Sequence, residues 1–482
     1  MFMKKIIVLL LGSSVMLISC TKSFIEIQPE SNVTVDILYK TDKDFQDAVN
    51  GVYNIFQTQY QNFWVFGDLP SNDIEEDIPN HFDHVSFEQF TVNDRQAILA
   101  STWRNYYNVI SRSNAIITKI EKADTSIVKN KNQYLGEAKF LRALAYFDLV
   151  RIFGDVPVVT TTVTVEEAYK IGREKVATIY EQVIIKDLLD AESKLPVKYT
   201  GINVGRASSG AAKSILGKVY LTIKDFSKAE VKLKEVTNMG YALLPKYKDL
   251  WNYTLNEHHS EYIFDIEYEE GIGEGSSFTH AFIPAWNTLA DFFGVKGGTP
   301  PSDGAPTPSL FAAFDPNDVR RDISVQYGIT INGVYTLIPT TSIQASRSFS
   351  TKYITPVASN NDSRANWKVI RYADVLLMYA EALNENGKTT ESLDYLKAVR
   401  NRAGLSGYVN LNQAETREKI YLERRFELSL EGQSWFDLVR TGRAFANMQS
   451  MGMKPYMTIF PIPLTQIQII NNPSVFGQNP GY

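Results

Sequence analysis

The sequence predicts a mainly α-helical protein interrupted by one long, loop-rich insertion. Three observations carry that prediction. Apolar residues recur at three- and four-residue steps over most of the chain, two segments share the offsets of a helix-turn-helix repeat, and the helical period vanishes between residues 241 and 366. A length of 482 residues exceeds what one small core organises, and 44% hydrophobic with 21% charged residues is a globular composition. Lys and Arg total 49 against 54 Asp and Glu, so the basic excess that neutralises phosphates is missing and nucleic acid is not an expected partner. The single cysteine, Cys20, excludes an intramolecular disulfide and a cysteine-based zinc site.

Residues 1–19 read as a lipoprotein signal peptide. Lys4 and Lys5 precede an apolar stretch, and Leu17, Ile18, Ser19 and Cys20 form a bacterial lipobox: apolar, then small, then a thiol that accepts a diacylglycerol. The stretch is shorter than the roughly 20 apolar residues of a membrane span. Attachment through lipid on Cys20 is therefore expected, with residues 20–40, which include Pro29, as an extended tether.

Residues 41–240 are expected to form an N-terminal helical repeat region. Phe45, Val49, Val52, Tyr53 and Phe56 define a first helix, with Thr41 or Asp42 as N-cap. Leu99, Trp103, Tyr106, Ile110, Ile117 and Ile120 define a second, and Leu141, Leu144, Phe147, Val150 and Ile152 a third, each with one apolar face. Phe153-Gly154-Asp155-Val156-Pro157 stops the third, and Val176, Ile179, Tyr180, Val183 and Leu188 resume the period before Pro196. Residues 211–238 place Leu216, Gly217, Tyr220, Phe226 and Ala229 at the offsets of a tetratricopeptide repeat. A looser copy at 377–400 has Ala380 and Leu383 in the positions of Gly217 and Tyr220, Gly387 at the turn and Ser392 for Ala229.

Residues 241–366 read as a variable, loop-rich insertion, because eight of the nineteen prolines fall between 281 and 356. Short strands are expected at 262–268 and 328–337, the second turning at Asn332-Gly333. Residues 367–482 return to helix and end in a tail.

No catalytic motif stands out. The histidines His81, His84, His258, His259 and His280 make no HExxH, Gly271, Gly273 and Gly275 are followed by Ser276 rather than completing GxGxxG, and neither GxSxG nor a P-loop occurs. His81-Phe82-Asp83-His84 beside Asp73, Glu75, Glu76 and Asp77 offers metal-ligand types, but the sequence favours a solvated polar loop and no metal or cofactor is expected. Aromatic residues make up 12% of the chain, and most sit at helical spacing as packing residues. Phe63, Trp64, Phe66, Phe82, Trp286, Phe292, Phe293, Tyr335 and Trp367 instead lie among polar and small residues. A flat ring beside Asn, Asp or Arg suits a sugar, which stacks its C–H face on the ring and bonds through its hydroxyls.

The C-terminal third carries the most specific pattern. Residues 371–382 (RYADVLLMYAEA), 399–404 (VRNRAG), 423–443 (ERRFELSLEGQSWFDLVRTGR), FPIP at 460–463 and QNPGY at 478–482 strongly resemble the SusD/RagB family of outer-membrane lipoproteins from nutrient-uptake systems. The lipobox, GVYNIF and GDLPSND at 67–73 match in the same order, so the resemblance covers almost all of the chain outside the insertion. Departures are small: Ser434 and Gln466 differ from frequent family choices, and TKSFIE after Cys20 lacks an early acidic cluster, so surface display is inferred from the family alone. Read from the residues themselves, Glu423, Arg424, Arg425 and Glu427 with Trp435, Phe436, Asp437 and Arg440 look like ion pairs and packing between two helices rather than a site.

The resemblance implies a SusD-like fold of tetratricopeptide-like helix pairs and a non-catalytic, surface-exposed lipoprotein. It would capture an oligosaccharide and act as the lid of a SusC-like TonB-dependent outer-membrane porter. Regions 72–90 and 280–340 are the expected ligand loops, with Trp286, Phe82 and Trp64 stacking on sugar rings and Asp73, His81, His84 and Asn287 bonding hydroxyls. Two other classes fit the sequence: a peptide-binding lipoprotein of the same architecture, and a glycosidase with paired carboxyls.

Overall fold

A computed structural model describes residues 39–76, 81–254, 257–298, 303–339 and 347–482. The signal peptide, Cys20 and nearly all of the tether lie outside the described residues. The N-terminal frame runs through α1 (Asp42–Tyr60), α2 (Phe63–Gly67), α3 (Phe82–Glu88), α4 (Ala97–Glu121), α5 (Lys131–Phe153), α6 (Ile185–Lys194), α7 (Ser209–Thr222) and α8 (Phe226–Thr237). The insertion carries α9 (Asn287–Phe293). After it come α10 (Tyr372–Glu385), α11 (Thr389–Arg402), α12 (Gln413–Glu427) and α13 (Ser434–Arg440). Short strands β1 (Ile74–Glu75), β2 (Tyr262–Ile266), β3 (Ala305–Pro306), β4 (Gly328–Ile331), β5 (Val334–Leu337) and β6 (Trp367–Arg371) pair two by two. The mainly helical class holds, and among the described residues no helix is long and apolar enough to cross a membrane.

The helix starts follow capping chemistry. Thr41 accepts from the Asp44 N–H while the Asp44 carboxylate takes the Thr41 N–H, and Ser208 and Asp225 cap α7 and α8. Phe45, Val49, Val52 and Phe56 are fully buried, as their spacing requires. The expectation of a single apolar face fails for α5, which is buried almost all round. It packs against α1, α4 and α6 at once. Its polar groups are matched inside: Asp148 accepts from the hydroxyls of Tyr60 at 2.8 Å and Tyr106 at 2.9 Å, and Arg142 grips Asp187 at 2.7 and 2.8 Å.

The two repeat-like segments form antiparallel pairs, α7 with α8 and α10 with α11. A Cβ added at Gly217 would lie 2.5 Å from Leu233, which is why the position holds glycine. In the second pair, the Ser392 hydroxyl donates to the Ala380 carbonyl at 2.6 Å. Although distant in sequence, the pairs are neighbours in space: α8 packs on α10, and Asn386 donates to the Phe226 carbonyl and to Glu230. The insertion leaves this stack undisturbed because β2 and β6 pair antiparallel, Tyr262 opposite Arg371 and Ile266 opposite Trp367. Both expected strand regions are present, and Asn332 and Gly333 adopt positive φ of 50° and 82° at the β4–β5 turn.

Candidate ligand-binding surface

The signature residues of the last third are structural. Arg424 bonds Asp374 and Asp437 at 2.8 Å, and Arg440 bonds Glu381 and Asp437. Glu427 accepts from Arg320 and Arg371 and pairs with Arg402, and these guanidiniums hold its carboxyl far below the usual carboxylate range against the opposing effect of burial. Arg320 belongs to the insertion, so the network bolts insertion to frame. A second lock joins motifs far apart in sequence: the Asp68 carboxylate accepts the Gly432 N–H at 2.7 Å, and a Cβ on Gly67 would lie 2.3 Å from the Gly432 carbonyl oxygen. GDLPSND and EGQSWFD are thus two halves of one joint.

Onto this base the fold brings together the two loop regions singled out in the sequence. β1 pairs antiparallel with β3, Ile74 opposite Pro306 and Glu75 opposite Ala305, so residue 76 runs beside residues 303–304. Neither region is structureless, since each folds a short helix, α3 and α9. The insertion also has its own small core of Ile283, Leu289, Val295, Ile329, Phe349 and Val357, with Trp286 and Phe293 packed against it.

Several expected site residues change standing. Trp64 is 1% exposed, its ring set edge-on to His84 at 5.0 Å and Phe282 at 5.3 Å, so it is a core residue and offers no platform. Phe63, Phe66 and Trp367 are buried as well. The cause is α2: the run FWVFG at 63–67 is a buried helical turn that is apolar on every side. Asp73 is also withdrawn, because its carboxylate pairs with Arg425 at 2.7 Å and is buried. His84 is buried and its Nδ1 lies 2.7 Å from Glu76 Oε2, so the expectation of a solvated histidine pair fails. His81 is partly exposed, with Nδ1 3.4 Å from both Glu76 and Asp303. Hydrogen bonds to Asp303 and Glu76 lift its pKa to about 10.

What remains at the surface is aromatic. Phe82 is 73% exposed, Trp286 is partly buried with its ring rooted in the small core, and Asn287 is exposed as the first residue of α9. Phe292 and Tyr335, which the sequence grouped with the loop aromatics without giving them a role, are more than half exposed on α9 and β5. Neighbouring Phe293 is partly buried against the small core, and the strand that carries Tyr335 is exposed along most of its length.

Residues 339–482 match the family model described as SusD family, and residues 23–221 match one described as Starch-binding associating with outer membrane. The chain is a SusD/RagB-family protein. Similar SusD-like proteins include SusD-like protein P2 of Formosa agariphila, 28% identical over 516 residues covering 97% of each chain. SusD-like protein P25 of the same organism is 27% identical over 514 residues covering 94% of each chain. Among solved structures, a laminarin binding SusD-like protein is 28% identical with a TM-score of 0.79, covering 92% of this chain and all of that one. A SusD homolog from Bacteroides thetaiotaomicron, at 24% identity and a TM-score of 0.80 over 94% of this chain and 99% of that one, supports the SusD fold.

Proposed function

We propose that this protein is a lipid-anchored outer-membrane lipoprotein that captures oligosaccharide at the cell exterior. It would deliver the glycan to a SusC-like TonB-dependent porter, acting as its lid without catalysis of its own. The observation that carries the reading is similarity over 92% of the chain to a laminarin binding SusD-like protein. Lipidation at Cys20 and the membrane address rest on the lipobox and on the outer-membrane wording of the matching family model.

In this reading Phe82 and Trp286 stack on sugar rings, with Phe292 and Tyr335 extending the platform, while Asn287 and the partly exposed His81 bond hydroxyls. Trp64, Asp73 and His84 act behind the surface. The test is calorimetric titration of the full chain in detergent with a panel of neutral and charged oligosaccharides. Heat is expected with one glycan class, and Trp286→Ala should weaken that binding by about tenfold or more. Silence across the panel together with heat from peptides would replace the sugar reading by peptide capture.

A further inference from the structure

Glu76, His81, His84 and Asp303 each offer one donor atom, and the four atoms lie within 4.8 Å of one another. Two imidazoles and two carboxylates arrive from three separate pieces of chain. His81 and His84 are three residues apart at the start of α3, which sets them on one helical face with ring centroids 3.7 Å apart. Glu76 follows β1, and the β1–β3 register carries it to Asp303. We propose that these four residues form a zinc-class metal site that clamps α3 to the insertion.

The donor set selects the ion. Calcium and magnesium take six or more oxygen ligands, whereas paired imidazoles with carboxylates suit Zn2+ and its first-row neighbours. Two of the donor spacings already match: bonds of about 2.0 to 2.1 Å in a tetrahedron separate neighbouring donors by about 3.3 to 3.4 Å. Both His81 Nδ1 contacts, to Glu76 Oε2 and to Asp303 Oδ1, are 3.4 Å. His84 Nδ1 and Glu76 Oε2 lie closer, at 2.7 Å, a hydrogen bond that an ion entering between them would replace.

The surroundings hold the donors in place. The Glu88 carboxylate accepts the Glu76 N–H at 3.1 Å, and Trp64 packs edge-on against the His84 ring. Gly304, next to Asp303, lies so close to Phe282 and Trp64 that a Cβ there would come within 2.7 Å of the former. Four protein donors complete a tetrahedron without an open position, which marks a structural site rather than a catalytic one. Its mechanical consequence falls on Phe82, the exposed residue between the two histidines.

The experiment is calorimetric titration of Zn2+ into the chelator-treated full chain in detergent, followed by Co2+ substitution and visible spectroscopy. One equivalent of Zn2+ is expected to bind and raise the thermal midpoint, and Co2+ should give the intense absorption of a tetrahedral site. His81→Gln and Asp303→Asn, both at partly exposed positions, should each weaken binding by at least about 100-fold while circular dichroism stays unchanged. Buried His84→Ala is the more disruptive variant and is read only beside those two. The assignment is overturned by a folded protein that takes up no stoichiometric Zn2+, by binding that survives both mild variants, or by a Co2+ spectrum of octahedral intensity.

Discussion

The helical frame and the α3–insertion surface are built on opposite principles. In the frame, charge is buried and matched: Arg371 alone bonds Glu261, Glu427 and Glu431 in nearly complete burial. On the surface the reverse holds, with Phe82, Phe292 and Tyr335 turned to water. A buried ion network tolerates no partial loss, since removing one partner strands the others. An exposed ring is free of that constraint, and its contribution to stability is small. The parts that identify the family are therefore the parts that hold it together, and the exposed rings carry little of that load.

Three measurements break or sharpen this contrast. The largest effect is expected at Glu427→Ala, which leaves Arg320, Arg371 and Arg402 facing one another in the interior. Denaturant unfolding should show a loss of about 3 to 5 kcal/mol or outright failure to fold. A fully folded variant within ~1 kcal/mol of the parent would mean that the network is not the keystone described. Next come the two aromatic positions of neighbouring segments. Trp64→Ala should cost about 3 to 5 kcal/mol by emptying a packed site, and Phe82→Ala less than about 0.5 kcal/mol. Equal losses at both would erase the distinction between core and platform.

The smallest effect is electrostatic. Burial and the adjacent Glu267 raise the Glu257 carboxyl to about 7, above the roughly 4.3 of an unfolded chain. The folded state thus holds the proton more tightly, so the stability this group supplies is complete below about pH 4 and is lost as pH rises through 7. Glu257→Gln removes that loss. Discounted for its partial exposure, the variant should gain about 1 kcal/mol on the parent between pH 4 and pH 8, read from urea midpoints at both values. A gain that does not change with pH would place the effect elsewhere.

Much of the frame was legible in the sequence because its information is periodic and local. The helix through Phe45, Val49 and Phe56, the Asn332-Gly333 turn and the Gly217 contact each follow from spacing or from a residue's own stereochemistry. The candidate surface was legible only in part. The run Phe63 to Phe66 gives no period, because a turn buried on every side looks like an aromatic loop, and this is why Trp64 was expected at the surface. Nor does Asp303 signal its meeting with His81 and His84, which depends on a two-residue ladder formed across more than two hundred residues. Arg425 and Asp73 make the same point, as an ion pair whose partners stand 352 positions apart.

The β2–β6 ladder has one more consequence, concerning inheritance. Because both stems of the insertion leave the frame side by side, the segment between them resembles a cassette, held at its stems and fastened again by Arg320 on Glu427 and by the β1–β3 ladder. Its exchange between relatives would replace Trp286, Phe292 and Tyr335 in one step while leaving Phe82 and the stacked helix pairs in place. Recombination at the two stems, with the Arg320 and β3 contacts kept, could thus change three surface rings at once rather than by slow remodelling of the fold.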